Sequence, residues 1–125
     1  IHWIHLGRIK DNKVLSEIYS AVDVYACPSI DDAGPMMINE AYHCGTPVVA
    51  FNSGVGPDLL QSPEIGHVAE LFDIESFSIG LEKFLFGDKI SNEQQSVSRD
   101  LCKAEFQAAQ YIKLFDSMTN RAVAK

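Results

Sequence analysis

The sequence predicts an α/β domain built on a Rossmann-like, open parallel sheet with helices on both faces. Three observations carry this. Short apolar runs alternate with helical patterns along the chain. The turns between them are brief and rich in Gly, Pro, Asn and Asp. One run, "PVVAF", is apolar at every position, as a parallel strand covered on both faces should be. The chain has 125 residues, 46% hydrophobic and 22% charged, which suits one soluble domain.

The elements follow in order. "WIHLG" reads as a strand ending at Gly7. "DNKVLSEIYSA" reads as a helix with Asp11 as its N-cap, because Val14, Leu15, Ile18 and Tyr19 fall at helical spacing. "VDVYAC" is a second strand, stopped by Pro28. Residues 35–44 form a second helix that opens on Pro35 and closes at Gly45. "PVVAF" is the third strand, "NSGVGPDLL" a Gly-rich loop leading into a short helix, and "HVAEL" a fourth strand. Asp73 caps a helix through Phe86 whose apolar face is Phe77, Leu81, Phe84 and Leu85. A last helix, residues 97–118, carries Leu101, Phe106, Ala109, Ile112 and Phe115. Residues 1–118 are expected to be part of one domain whose N-terminal portion lies upstream, with 119–125 a disordered tail.

Composition excludes several classes. The net charge is −7, from 17 acidic and 10 basic residues with no basic run, which argues against nucleic-acid binding. The longest apolar runs fall far short of a membrane span. Cys27, Cys44 and Cys102 lack any Cys-x-x-Cys spacing, which fits a reducing cytoplasm and burial as small hydrophobes. His2, His5, His43 and His67 have no metal-ligand spacing, so no metal is expected. Gly54 and Gly56 do not complete a dinucleotide fingerprint. The chain opens without Met on "IHWIHLG", as if in mid-protein, so a longer parent chain is expected.

In open parallel sheets ligands bind beyond the C-terminal ends of the strands. That directs attention to the loops after Leu6, Cys27 and Phe51, above all to "PSIDDAGPMMINEAYHCG". The free amides at a helix start, with the helix dipole, make an anion site, and Gly34 allows close approach to the backbone. Glu40 lies about 8 Å further along the axis, at about 1.5 Å per residue. Asp32 lies in the entering loop. A phosphate at the amides would have one carboxylate on each side, which suits a nucleoside diphosphate sugar. Glu40 would take the ribose diol through charge-assisted bonds, and Asp32 a hydroxyl of the sugar. Taken alone, these residues also fit plainer roles, Asp32 as a loop or cap residue and Glu40 as a solvated helix position.

The combination "LGRI…Y…VDVYACPS…DDAGPMMINEA…CGTPVVAF…G…DLL", with the closing "FQAAQYIKLFDSM", resembles the C-terminal, donor-binding domain of retaining GT-B glycosyltransferases of the group-1 family. The resemblance covers nearly the whole chain. It implies a hexosyl transfer from a nucleotide-sugar with retention of configuration. The family signature is a pair of acids separated by seven residues; Glu40 is the second, and Asp32 stands where the first is usually Glu. The resemblance implies that Glu40 binds the ribose and Asp32 contacts the donor sugar as the catalytic positioner, with Asp31 next door as a substitute. It implies that backbone around Gly34 and Met36 faces the diphosphate or sugar. Gly7, Arg8 and Ile9 would meet the nucleobase.

The same resemblance implies no cofactor beyond a UDP- or GDP-sugar donor. It implies an acceptor, carbohydrate or lipid-linked, held by an N-terminal domain upstream, in pathways such as polysaccharide biosynthesis. The implied compartment is the cytoplasm, extending to peripheral association of the full-length enzyme with the inner face of a membrane. The isolated piece is expected to be inactive. The competing reading is a flavodoxin- or receiver-like binding module that uses the same strand ends for a phosphorylated ligand or a protein partner.

Overall fold

The computed structural model describes residues 2–32, 36–54, 56–87, 90–91, 93–96 and 104–123; of these, the side chains of 106, 107 and 119–123 lie outside the description. Helix α1 spans Asn12–Ala21 and strand β1 Tyr25–Cys27. Helix α2 spans Met36–His43, strand β2 Val48–Phe51, helix α3 Gly56–Leu59 and strand β3 Gly66–Ala69. Helix α4 spans Ile74–Phe86 and helix α5 Ala104–Val123. The three strands form one parallel sheet in the order β1-β2-β3, with Ala26 opposite Val49 and Ala50 opposite Val68. This is the expected α/β architecture, two consecutive parallel connections each routed through a helix.

The middle strand organises the core. All four residues of β2 are buried. Side chains alternate across a strand, so β2 sends two to each face. Val48 and Ala50 join Tyr19, Ile38, Ala41 and Tyr42 from α1 and α2. Val49 and Phe51 join Ala69 and Phe77, with the Phe51 and Phe77 rings 4.8 Å apart. Full burial of such side chains contributes about 1.5–3 kcal/mol each.

The caps read from the sequence hold. Asp11 accepts from the amides of Lys13 and Val14, and Asp73 from that of Ser76. Gly45 ends α2 with φ +79°, its amide bonded to the Tyr42 carbonyl and the Thr46 amide to that of Ala41. That double bond pattern is the Schellman stop. Cys27 is buried in the core as expected, and Cys44 is half-buried.

Four expectations need correction. Residues 2–10 form no strand: they have no ladder partner among the described residues, and Trp3, Ile4 and Leu6 are exposed. Strand β1 starts at Tyr25, because Val22 closes α1 by donating to the Tyr19 carbonyl. Strand β3 stops at Ala69, not Leu71, because Phe72 takes a left-handed φ of 66° and turns the chain into the Asp73 cap. The last helix runs on to Val123, beyond Met118, with Tyr111, Ile112, Leu114 and Phe115 exposed. Leu101 and Cys102 lie outside the described residues, as does the expected start of that helix.

Gly80 is where α4 meets the sheet. A Cβ there would lie 2.5 Å from His67 Cδ2 and 3.0 Å from Val49 Cγ1. His67 is itself held by Ser76 at 3.1 Å, so it has little room to yield. Gly80→Ala is expected to destabilise the fold by about 1–3 kcal/mol through overpacking. Urea unfolding monitored by circular dichroism measures this; unchanged stability would contradict the seating of α4 on β2 and β3.

Candidate functional site

The C-terminal end of the sheet is tied together by its loops. After β1, the Ile30 carbonyl accepts from Ser53 Oγ at 3.3 Å, joining the loop after β1 to that after β2. Asn52 donates its backbone amide to Ala69 at 2.7 Å and its side chain to both carboxylate oxygens of Glu70 at 3.3 Å, joining the loops after β2 and β3. The C-terminal ends of three strands thus share one rim, as the sheet topology requires of a binding edge.

Glu40 sits one turn into α2, on the flank of the face that buries Ile38, Ala41 and Tyr42. Its side chain is half-buried, and Oε2 accepts from the Tyr19 hydroxyl at 3.1 Å. Tyr19 comes from the inner face of α1 and is itself buried. Its ring meets that of Tyr25 edge-on, with centroids 5.6 Å apart and planes at 87°. Its carbonyl accepts from the buried Thr46 hydroxyl at 2.6 Å. The stop that ends α2 therefore also clamps the end of α1.

Asp32 is half-buried in the loop after β1. Burial, then the Cys27 thiol and the carboxylates of Glu40 and Asp32, push Tyr25 up to about 12. Both acids thus act on one phenol. Tyr19 is raised well above the ordinary tyrosine range, chiefly by burial and then by its hydrogen bond to Glu40 and the charge there, with Tyr25 and Cys44 adding less.

The other site residues fall as follows. Gly7 turns the chain with φ +65° and is exposed; Arg8 is exposed and Ile9 half-buried. Among the described residues, the hydrogen bond to Glu40 comes from Tyr19 and not from these three. Asp31 is exposed. Met36 and Met37 open α2 as exposed side chains, not as core. Gly34 lies outside the described residues. Among the described residues no cluster of three or more His, Cys, Asp or Glu has the geometry to hold a metal, and no helix is long and apolar enough to cross a membrane. A cavity of about 250 Å³, lined by Ala21, Val22, Asp23, Thr46 and Pro47, opens at the opposite ends of β1 and β2 and touches neither acid.

The sequence pattern places Tyr19 only in the apolar stripe of α1. The signal that finds it is chemical: a tyrosine in a buried stripe carries a hydroxyl that must meet a partner. Glu40 is the carboxylate placed to be that partner.

An open parallel sheet flanked by helices, with the loops after its strands gathered at one rim, is the class of fold that the structure defines. Residues 1–99 match the family described as "Glycosyl transferases group 1", and the chain belongs to that family. Its fold is similar to that of sucrose-phosphate synthase from Thermosynechococcus elongatus, with a TM-score of 0.67 at 23% identity. The match covers 93% of this chain and 30% of that one, so the present chain spans under a third of its length. No curated protein sequence matches the chain. Family membership does not favour the flavodoxin- or receiver-like alternative.

The raised phenols set an alkaline limit. Each keeps its proton longer in the folded state than in the unfolded one, where tyrosine titrates near 10. Their contribution to stability is complete below pH 10 and is lost as pH rises through about 12 for Tyr25, and later for Tyr19. Ring-carbon chemical shifts followed against pH should show both residues titrating late, and Glu40→Gln should bring Tyr19 part of the way back. Titration of both at the ordinary value would contradict this packing.

Proposed function

We propose that the chain is the donor-binding domain of a retaining GT-B glycosyltransferase, the C-terminal half of a longer enzyme. It would move a hexosyl group from a UDP- or GDP-sugar to a carbohydrate or lipid-linked acceptor. Family membership supports the transfer of a glycosyl group. The observation that carries the donor-binding role is Glu40. It is a half-buried carboxylate beside the binding edge, fixed by a neutral donor and making no ion pair with a described Lys, Arg or His. A carboxylate accepts hydrogen bonds at several lone-pair positions. With Oε2 oriented by a hydroxyl and its charge not neutralised, it suits the two hydroxyls of a ribose.

On this reading the diphosphate lies against the start of α2, near Gly34 and Met36. Gly7, Arg8 and Ile9 approach the base. Asp32, or Asp31 beside it, contacts the donor sugar. Asp32 acts as a positioner and electrostatic stabiliser of an oxocarbenium-like sugar, not as a nucleophile. The leaving group is the nucleoside diphosphate. The cations that balance its charge come from the start of the donor domain, upstream of this chain, and the acceptor site from an N-terminal domain. No cofactor and no metal enter the reaction. The enzyme works in the cytoplasm, reaching the inner face of a membrane peripherally when its acceptor is lipid-linked.

In the full-length protein, Glu40→Ala is expected to weaken nucleoside diphosphate binding by about 10- to 150-fold, the equivalent of about 1.5–3 kcal/mol for bonds to a charged group. Calorimetric titration with UDP and GDP measures it. Product anomeric configuration, read by NMR after turnover with a nucleotide-hexose, tests retention; an inverted product refutes it. The 125-residue piece alone is expected to give no turnover. Unchanged nucleotide affinity in Glu40→Ala would remove the basis for the donor-binding role.

A further inference from the structure

We propose that Tyr19 is a positioning residue for nucleotide recognition: its hydroxyl fixes the Glu40 carboxylate in the orientation that accepts a ribose diol. The inference rests on the reading of Glu40 as the ribose site and goes beyond it, to a residue on a different helix.

The geometry supports positioning over simple filling of space. The hydroxyl donates to Oε2 at 3.1 Å across the α1–α2 contact, between residues 21 apart in sequence. The donor cannot drift, because three restraints hold Tyr19. Its ring is buried, it is set edge-on against Tyr25 at 5.6 Å, and its carbonyl is clamped by Thr46 at 2.6 Å. Glutamate has three rotatable side-chain bonds and loses much rotamer freedom on binding. A fixed donor at one oxygen removes that freedom before the ligand arrives, which lowers the cost of association. The Tyr19 bond engages Oε2, and a carboxylate has acceptor positions on both oxygens. A lysine or arginine in the same place would neutralise the carboxylate and compete with the diol. A neutral phenol orients it and leaves the charge intact.

The test compares ligands as well as proteins. In the full-length chain, UDP or GDP (the tighter binder) is titrated beside its 2′,3′-dideoxy form, into wild type and Tyr19→Phe. Phenylalanine keeps the ring and its contact with Tyr25 and removes only the donor. Tyr19→Phe is expected to bind the natural nucleotide about tenfold more weakly, a loss of the size of one hydrogen bond to a charged group. Its affinity for the dideoxy form should be unchanged, and in a Glu40→Ala background the substitution should add no further loss. A merely structural role would weaken both nucleotides alike or neither, and either result overturns the proposal.

Failure of the underlying reading looks different: wild type itself would not distinguish the two nucleotides. A second measurement needs no variant to fold. In wild type, the Tyr19 ring carbon bearing the hydroxyl should shift on addition of the natural nucleotide and not of its dideoxy form. Equal shifts with both, or none with either, count against Tyr19.

Discussion

Burial of β2 on both faces is the constraint on which the rest depends. A strand with no solvent face can tolerate no register slip, since a shift by one residue exchanges its two sets of side chains. Val48 and Ala50 are committed to the α1–α2 side, and Val49 and Phe51 to the α4 side. Pairing with β1 and β3 is then determined, and with it the level at which each strand ends. The loops after Cys27, Phe51 and Ala69 emerge at one rim because their strands stop within a residue or two of each other in register. A binding edge follows from core packing, before any polar residue is considered.

The second link runs from that core to the acids. Gly45 stops α2 in a left-handed turn, which brings Thr46 beneath the end of α1. The Thr46 hydroxyl, buried and bonded to the Tyr19 carbonyl, sets the height of α1 against α2. That height places the Tyr19 hydroxyl beside Glu40. A buried hydroxyl without its partner would cost about 1–3 kcal/mol, so each bond in this series supports the next. The orientation of one carboxylate is in this way referred to a helix stop five residues away in sequence.

Much of this was legible in the sequence, for identifiable reasons. Asp11 and Asp73 announced their helices because a cap is a local device, readable from three or four residues. "PVVAF" announced a central strand because full burial leaves no polar position. "WIHLG" misled for the same reason in reverse: its residues suit a strand, but a strand needs a neighbour, and pairing is not a local property. The end of β3 turned on the backbone of Phe72, a residue with no intrinsic preference for a left-handed φ. The acid pair was visible as spacing. Its support by Tyr19 was not, because the two residues meet only through packing of α1 on α2.

Under the proposed donor-binding role, the charge balance decides what these acids would recognise. The chain carries −7, and Asp32 and Glu40 both bear on the same phenol of Tyr25. Carboxylates repel a diphosphate; they cannot be what attracts it. Their useful property toward an anionic ligand is the capacity to accept hydrogen bonds from uncharged hydroxyls, which a nucleotide-sugar offers on both sides of its phosphates. Attraction of the phosphates has to come from amides at the helix start and from cations outside the acid pair. On the proposed reading, a site arranged in this way would be selective by construction. It would disfavour a polyphosphate lacking hydroxyls at both ends, because such a ligand meets the repulsion without the compensating bonds. On the same reading, neutral orientation of Glu40 by Tyr19 would preserve that selectivity, since pairing the carboxylate with a cation would relieve the repulsion and the discrimination together.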